Sequence, residues 1–260
     1  MILVTGATGT VGSELVAQLR ESKLEVRALV HDPKKVSRLG DKVEIAVGDL
    51  DQPETLRPAM DGVHAVYAIA FFTEQIRNLV DAAKHSGVKL IVRQSTIEAG
   101  ATPPIGPGKW HREQEEIIER SGLVWVHLRP TLMMTNIIQW WSATIRAQGR
   151  VYFPGGPGRT APVDPYDVAA VACSVLTAPH AHEGKAYDVT GPEPFTVAEM
   201  VQVLSKAVGK PIRYVRVPHL RQAGGCAGRG CPESLLRRSW KRRERGSATG
   251  TPTSLTQSSA

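Results

Sequence analysis

The first twelve residues constrain this chain more than any other stretch. Met1-Ile2-Leu3-Val4 has the length and apolarity of a short buried strand. It enters Thr5-Gly6-Ala7-Thr8-Gly9-Thr10-Val11-Gly12, after which Leu15, Val16 and Leu19 recur at helical spacing. Strand, glycine turn and helix in that order form a cradle for two linked phosphates. Gly6 permits the tight turn, Gly9 leaves room for the phosphates and Gly12 lets the helix approach the strand. The turn and helix start, with Thr8, Thr10 and Val11, present free N–H groups and the positive end of the helix dipole to the anion. The spacing is G-x-x-G-x-x-G rather than G-x-G-x-x-G, and glycine triplets also occur in purely structural turns. The strand before it and the helix after it favour a dinucleotide site.

A chain of 260 residues accommodates one large domain, or one domain plus a small lobe. The N-terminal apolar run is too short to span a membrane and lacks the flanking charge and cleavage site of a secretion signal, so a cytoplasmic protein with no membrane partner is expected. Three cysteines, Cys173, Cys226 and Cys231, give no even disulfide framework. The net charge of +7 invites a nucleic-acid partner, but residues 221–260 hold eight Lys/Arg against two Glu, six of the seven net charges. The basic character belongs to that tail, whose low-complexity composition predicts disorder, and nucleic acid is disfavoured as a partner.

Apolar runs at Val26–Val30, Val43–Val47, Val63–Ile69, Val88–Val92 and Leu123–Leu128 alternate with helical patterns near 13–21, 53–60, 72–86 and 111–121. That alternation predicts an α/β protein, a Rossmann-type doubly wound parallel sheet whose ligand lies beyond the carboxyl ends of the strands. From Pro130 the pattern shifts to a helix over Leu132–Gln148, a Gly/Pro loop at 154–158, a helix over Pro165–Leu176, a strand at Lys185–Val189, a helix over Val197–Val208 and a strand at Ile212–Val217. The expected organisation is a dinucleotide-binding core over 1–130, a smaller α/β substrate lobe over 131–220, interleaved with the core, and the basic tail over 221–260.

Thr5–Gly12, Val26-Arg27-Ala28-Leu29-Val30-His31-Asp32-Pro33, Gly48-Asp49-Leu50, Ser121-Gly122, Leu128-Arg129-Pro130 and Tyr187-Asp188-Val189-Thr190-Gly191-Pro192 form an ordered set. In that set the chain, over about residues 1–218, resembles the NmrA-like atypical short-chain dehydrogenase/reductases. These include NAD(P)H:quinone reductases, triphenylmethane reductase and non-catalytic redox sensors. The resemblance implies that Asp49 and Leu50 flank an adenine, that Ala68, Ile69 and Ala70 line the ribose and nicotinamide side, that Pro130 borders the same site, and that Ser95 takes the place of a Ser/Thr near the nicotinamide. From the residues alone, Asp49 reads equally as a cap for the following segment, and Ser95 as a strand-ending turn hydroxyl.

Asp32 lies at the distance from Gly12 expected of a ribose-diol ligand, whereas in relatives the basic residue just before Asp-Pro contacts a 2′-phosphate. His31 holds that place here, with Lys34 and Lys35 following, so NADP is favoured and NAD is the alternative. Typical superfamily members use Tyr-x-x-x-Lys to protonate a carbonyl. Aligned on Ser121-Gly122, the Lys position falls on His111 and the Tyr position on Pro107, which has no proton to give. His111 is therefore the catalytic candidate, with Ser95 beside it and Lys109 as a second contact. Quinone-reductase-like relatives also carry His at that place. Without the Tyr, the expected reaction is direct hydride transfer to a planar electrophile such as a quinone, rather than ketone reduction. A redox sensor that binds NAD(P) without turnover is the alternative.

Met133, Ile137, Trp140, Trp141 and Ile145 form an apolar stripe that reads first as lobe core or a dimer interface, leaving a homodimer open, and second as an aromatic pocket. His180-x-His182 has no partners at metal-ligand spacing, and no metal is expected.

Overall fold

The computed structural model describes residues 1–40 and 43–217, so the basic tail at 221–260 lies outside the described residues. Seven strands form one parallel sheet: β1 (Ile2–Val4), β2 (Val26–Val30), β3 (Glu44–Val47), β4 (Ala65–Ala68), β5 (Leu90–Gln94), β6 (Val124–Pro130) and β8 (Lys185–Val189), in the order β3-β2-β1-β4-β5-β6-β8. The chain winds outward from β1 in one direction, then returns to start β4 on its other side. Val4 thus pairs with Ala28 on one flank and Tyr67 on the other. That reversal opens a crevice beyond the carboxyl ends of β1 and β4, where this architecture binds ligands.

The helices cover both faces because each carries an apolar stripe. On one face α1 (Thr10–Glu21) buries Val11, Leu15, Val16 and Leu19 against the sheet and α6 (Pro165–Thr177). On the other, α2 (Leu56–Ala59) and α3 (Thr73–His85) bury Leu56, Ile76, Leu79 and Val80. The amphipathic helix α4 (Gly108–Glu119) covers β5 and β6 on this same side.

Strand boundaries shift where a side chain or helix end claims a backbone group. Expected over Val63–Ile69, β4 stops at Ala68 because the Ile69 N–H donates to Thr5 Oγ1 at 2.7 Å instead of to the ladder. The strand expected from Val88 begins at Leu90, since the Val88 N–H caps α3 on Ala83 O.

After β6 the chain builds α5 (Met134–Gln148), β7 (Arg150–Phe153), α7 (Val197–Val208) and β9 (Arg213–Arg216), with β7 and β9 paired in parallel as a second small sheet. β7 was absent from the sequence expectation, masked by the glycine that ends α5 and the Gly/Pro loop after it. Gly149, at φ +61°, closes α5, and a Thr196–Glu199 capping box opens α7. Two other segments beyond residue 130 return to the main layer, α6 packing on α1 and Lys185–Val189 pairing with β6. The small unit is joined to the carboxyl ends of β6 and β8, on the same edge of the parallel sheet as the crevice.

Candidate functional site

At the crevice, Gly6 adopts φ +62°, which an L side chain rarely tolerates, and its N–H-rich turn closes with Gly9 N donating to Gly6 O at 2.9 Å. A Cβ on Gly12 would run into Gly6 O and come within 2.8 Å of Gly6 C and 3.0 Å of Ala7 Cα, so the helix start sits directly on the turn. A Cβ on Gly9 would meet only Gly6 O, at 3.0 Å, and otherwise open space. The first bond of α1 runs from Ser13 N to Gly9 O, which leaves the N–H groups of Thr10, Val11 and Gly12 without intrahelical acceptors. Gly6, Thr8, Gly9 and Thr10 are exposed, while Val11 and Gly12 are buried. An open glycine cradle with unspent amides at a helix N-terminus fits a dinucleotide pyrophosphate.

Thr5 ties this turn to the end of β4: its N–H donates to Tyr67 O, its hydroxyl donates to Ile69 O at 3.1 Å, and the same hydroxyl accepts from Ile69 N. Ile69 accordingly packs over Gly6, with Ala68 and Ala70 buried on either side. The fold thus brings the glycine turn and the 68–70 segment together.

At the end of β2, His31 Nδ1 lies 3.4 Å from Asp49 Oδ2. The sequence left Asp49 between a cap and an adenine contact, and its carboxylate does accept the Asp51 N–H at 2.8 Å as a local cap. Asp32, the diol alternative, spends its carboxylate on Lys34 N at the start of the 3₁₀ turn Pro33–Arg38, which contains Lys35. Leu50 joins the core under α3, where Asn78 holds its carbonyl. Gly48 permits this approach, since a Cβ there would reach Leu29 and Thr55.

Around β5 the structure shows what the sequence reading did not contain. Arg93, fully buried in the strand, donates to the carbonyls of Ala68 (3.4 Å), Ala70 (3.3 Å) and Gln94, to Gln114 Oε1, and to His111 Nδ1 at 3.2 Å. An arginine directly after the apolar run Leu90-Ile91-Val92, within a strand buried on both faces, was the available signal. His111 lies in the first turn of α4, three residues after its start at Gly108, on the face it shares with buried Gln114, Glu115 and Ile118, as the spacing predicts. Because a guanidinium only donates, Nδ1 is the acceptor and the ring proton resides on Nε2. Burial, reinforced by the Arg93 charge and only partly opposed by Glu115, pulls the imidazole down to about 3. His111 is therefore a neutral hydrogen-bond donor through Nε2, not an imidazolium.

Glu115, fully buried, receives Arg129 through two bonds (3.0 and 2.7 Å) and Arg112 at 2.9 Å. Burial pushes its carboxyl up, but the Arg129 bonds, the neighbouring Ser95 hydroxyl and nearby His127 overcome this and hold it near 2. Ser95 Oγ is buried and makes no hydrogen bond of normal geometry, and none joins it to His111. Lys109 is exposed on the first turn of α4, and Pro130 is buried at the end of β6. A cavity of about 340 Å³ lies among Ala99–Thr102, Pro104, Arg112, Glu116 and Arg129, and His111 is not among its lining residues.

The aromatic stripe of α5 is the core of the small unit. Ile137 and Trp141 are buried with Val151, Phe153 and Val201, Trp140 and Ile145 pack against them, and Met133 joins the main core instead. Glu115, Glu119 and His127 bring one ligand atom each within 4.8 Å of one another, but Arg112 and Arg129 already neutralise the carboxylates. His180 and His182 are paired with Glu183 and the Tyr187 hydroxyl, each at 2.8 Å. Among the described residues no helix is long and apolar enough to cross a membrane.

Residues 6–179 match the family described as NAD(P)H-binding. The chain is 40% identical over 240 residues, 90% of its length and 83% of the relative's, to the NAD(P)H azoreductase of Xenophilus azovorans. Among solved structures, it resembles an NADPH-dependent quinone oxidoreductase of Escherichia coli complexed with NADPH, with a TM-score of 0.76, 29% identity and coverage of 84% and 79% of the two chains. It also resembles the Citrobacter sp. triphenylmethane reductase complexed with NADP(H), with a TM-score of 0.73, 29% identity and coverage of 84% and 80%. With a glycine turn whose unspent amides fit a dinucleotide and a family match across most of its length, this chain belongs to the NAD(P)H-binding family.

Proposed function

We propose that this protein is an NAD(P)H-dependent reductase that passes hydride to a planar electrophile of the quinone or azo class, with NADPH the favoured donor. The observation that carries the reading is the meeting of three parts beyond the carboxyl ends of β1, β4 and β5: a turn of unspent amides, the Ala68–Ala70 wall, and the neutral imidazole of His111. The names of the azoreductase, quinone oxidoreductase and triphenylmethane reductase relatives support the substrate class.

The dinucleotide, when bound, supplies the hydride and its electron pair. Thr10, Val11 and Gly12 would hold its pyrophosphate through their N–H groups, and His31 would meet a 2′-phosphate beside Asp49. Ser95 and Lys109 are the further contacts proposed near the nicotinamide. With proline at position 107, no tyrosine stands ready to protonate an alkoxide. His111 instead donates a hydrogen bond from Nε2 to the acceptor oxygen or nitrogen as negative charge develops there. Its Nδ1 is already engaged by Arg93, so the one proton that completes reduction comes from solvent. Quinone, hydride and one proton give hydroquinone; an azo bond gives a hydrazo group by the same count. Phe71, just beyond β4, and Met134 and Ile138, early in α5, are exposed apolar side chains on the carboxyl-end side of the sheet that suit a flat apolar acceptor.

The test is NADPH oxidation by the purified protein across a panel of quinones, azo dyes and simple ketones. Turnover is expected with the first two classes, and the His111→Ala variant is expected to lose more in kcat than in NADPH affinity. Tight NADPH binding with no acceptor reduced would overturn the reading in favour of a redox sensor.

A further inference from the structure

Arg93 is the least explained charge in the described structure. It is fully buried within the sheet, and no carboxylate of the described residues lies within ion-pair distance of it. The acidic side chain that acts on it, Glu115, is already bound by Arg129 and Arg112. An arginine so placed is costly where a leucine would pack without penalty, so a role beyond packing is indicated. Its donors go to the carbonyls of Ala68 and Ala70 in the crevice wall and of neighbouring Gln94, to Gln114 on the buried face of α4, and to His111 Nδ1.

We propose that Arg93 is a positioning residue whose guanidinium locks His111 in the Nε2–H tautomer and registers that ring against the Ala68–Ala70 wall. The lock is geometric. A guanidinium offers only donors, so the ring nitrogen facing it cannot carry a proton, and a ring flip would set a C–H against the guanidinium in place of an acceptor. Gln114 accepts from the same guanidinium nitrogen and holds it between helix and strand. Around this group stand Tyr67 on β4, Gln114 and Glu115 on α4, and His127 on β6. Tyr67 gives its hydroxyl to Gln94, and Glu115 is taken by two arginines, so neither competes for His111 Nδ1. One side chain thereby aligns the hydrogen-bond donor with the wall of the nicotinamide site before any ligand arrives.

This inference rests on the role given to His111 above, and the test separates the two. In protein labelled with ¹⁵N at histidine, long-range ¹H–¹⁵N spectra of the ligand-free form are expected to show His111 as a single Nε2–H tautomer. A mixed or Nδ1–H ring in the native protein overturns the proposal without recourse to any variant. Arg93→Met is expected to release the ring into a mixture of tautomers and to lower kcat about tenfold to a hundredfold, less than the roughly hundredfold to thousandfold lost when an oriented donor is removed outright, with NADPH affinity nearly unchanged. In a His111→Ala background the same substitution should cost nothing further in kcat, and Arg93→Lys, which still offers a donor, should restore part of the rate. A tautomer unmoved in Arg93→Met refutes the lock. A tautomer that shifts while kcat holds in both Arg93→Met and His111→Ala sustains the lock and removes His111 from the reaction.

Discussion

Replacing Gly12 by alanine tests the physical basis of the dinucleotide site. A Cβ at this position would sit 2.8 Å from Gly6 C and 3.0 Å from Ala7 Cα, against about 3.5–4.0 Å for relaxed carbon contacts. Both neighbours are backbone, so neither can rotate away. The first turn of α1 must retreat by roughly 1 Å, and Leu15, Val16 and Leu19 behind it are locked in the core shared with α6. Overpacking of this kind costs about 1–3 kcal/mol, which for a domain of this size lowers Tm by about 2–10 °C. The same retreat draws the Thr10–Gly12 amides away from the turn. Losing one hydrogen bond to a charged group, about 1.5–3 kcal/mol, weakens NADPH binding about tenfold to a hundredfold. Gly9→Ala provides the contrast: its Cβ would meet only Gly6 O at 3.0 Å, so Tm should hold while affinity falls if the open space beside Gly9 is where the proposed phosphate sits. Calorimetric titration with NADPH and a thermal melt read both effects. A Gly12→Ala protein that binds within about twofold of the parent and melts within about 1 °C of it refutes the close-approach argument.

Acid should destabilise the fold before its carboxylates titrate. His127 and His111 are pulled down to about 4 and about 3, mainly by burial, so from pH 6.5 downward the unfolded chain takes up protons that the folded chain refuses, and stability falls by up to about 1.4 kcal/mol per pH unit for each ring. Glu115, held near 2, adds its own loss only as pH falls from 4.5. His127→Phe, which preserves the stack on Trp125, should flatten the Tm profile between pH 7 and 5, and an already flat native profile contradicts the reasoning. For cofactor choice, His31→Asp places a second carboxylate beside Asp49 and should weaken NADPH binding about tenfold more than NADH binding. An unchanged ratio in paired titrations would assign the 2′-phosphate to other residues.

Much of the layer structure was legible because each element carries its own period. Val26–Val30, Lys185–Val189 and Val197–Val208 appear with the boundaries read from the sequence. The boundaries that moved did so through single long-range bonds, Thr5 to Ile69 at the end of β4 above all, which no local pattern encodes. β7 was hidden for a related reason: four residues between a left-handed glycine and a Gly/Pro loop have too little length for a period, and their pairing partner lies some sixty residues onward in β9.

What the sequence by itself determined was a glycine turn set between a strand and a helix, and a proline where the resemblance places a tyrosine. Glycine at 6, 9 and 12 and proline at 107 act through what their own backbones permit, so their meaning survives without tertiary context. Only the tertiary structure decided the state of His111, because that state depends on a guanidinium eighteen residues earlier on the preceding strand, β5, and on the desolvation produced when α4 closes over that strand. The stripe on α5 shows the same division: its apolar period marks a buried face, while its burial against Val151 and Phe153 follows from packing against a strand that is too short to read.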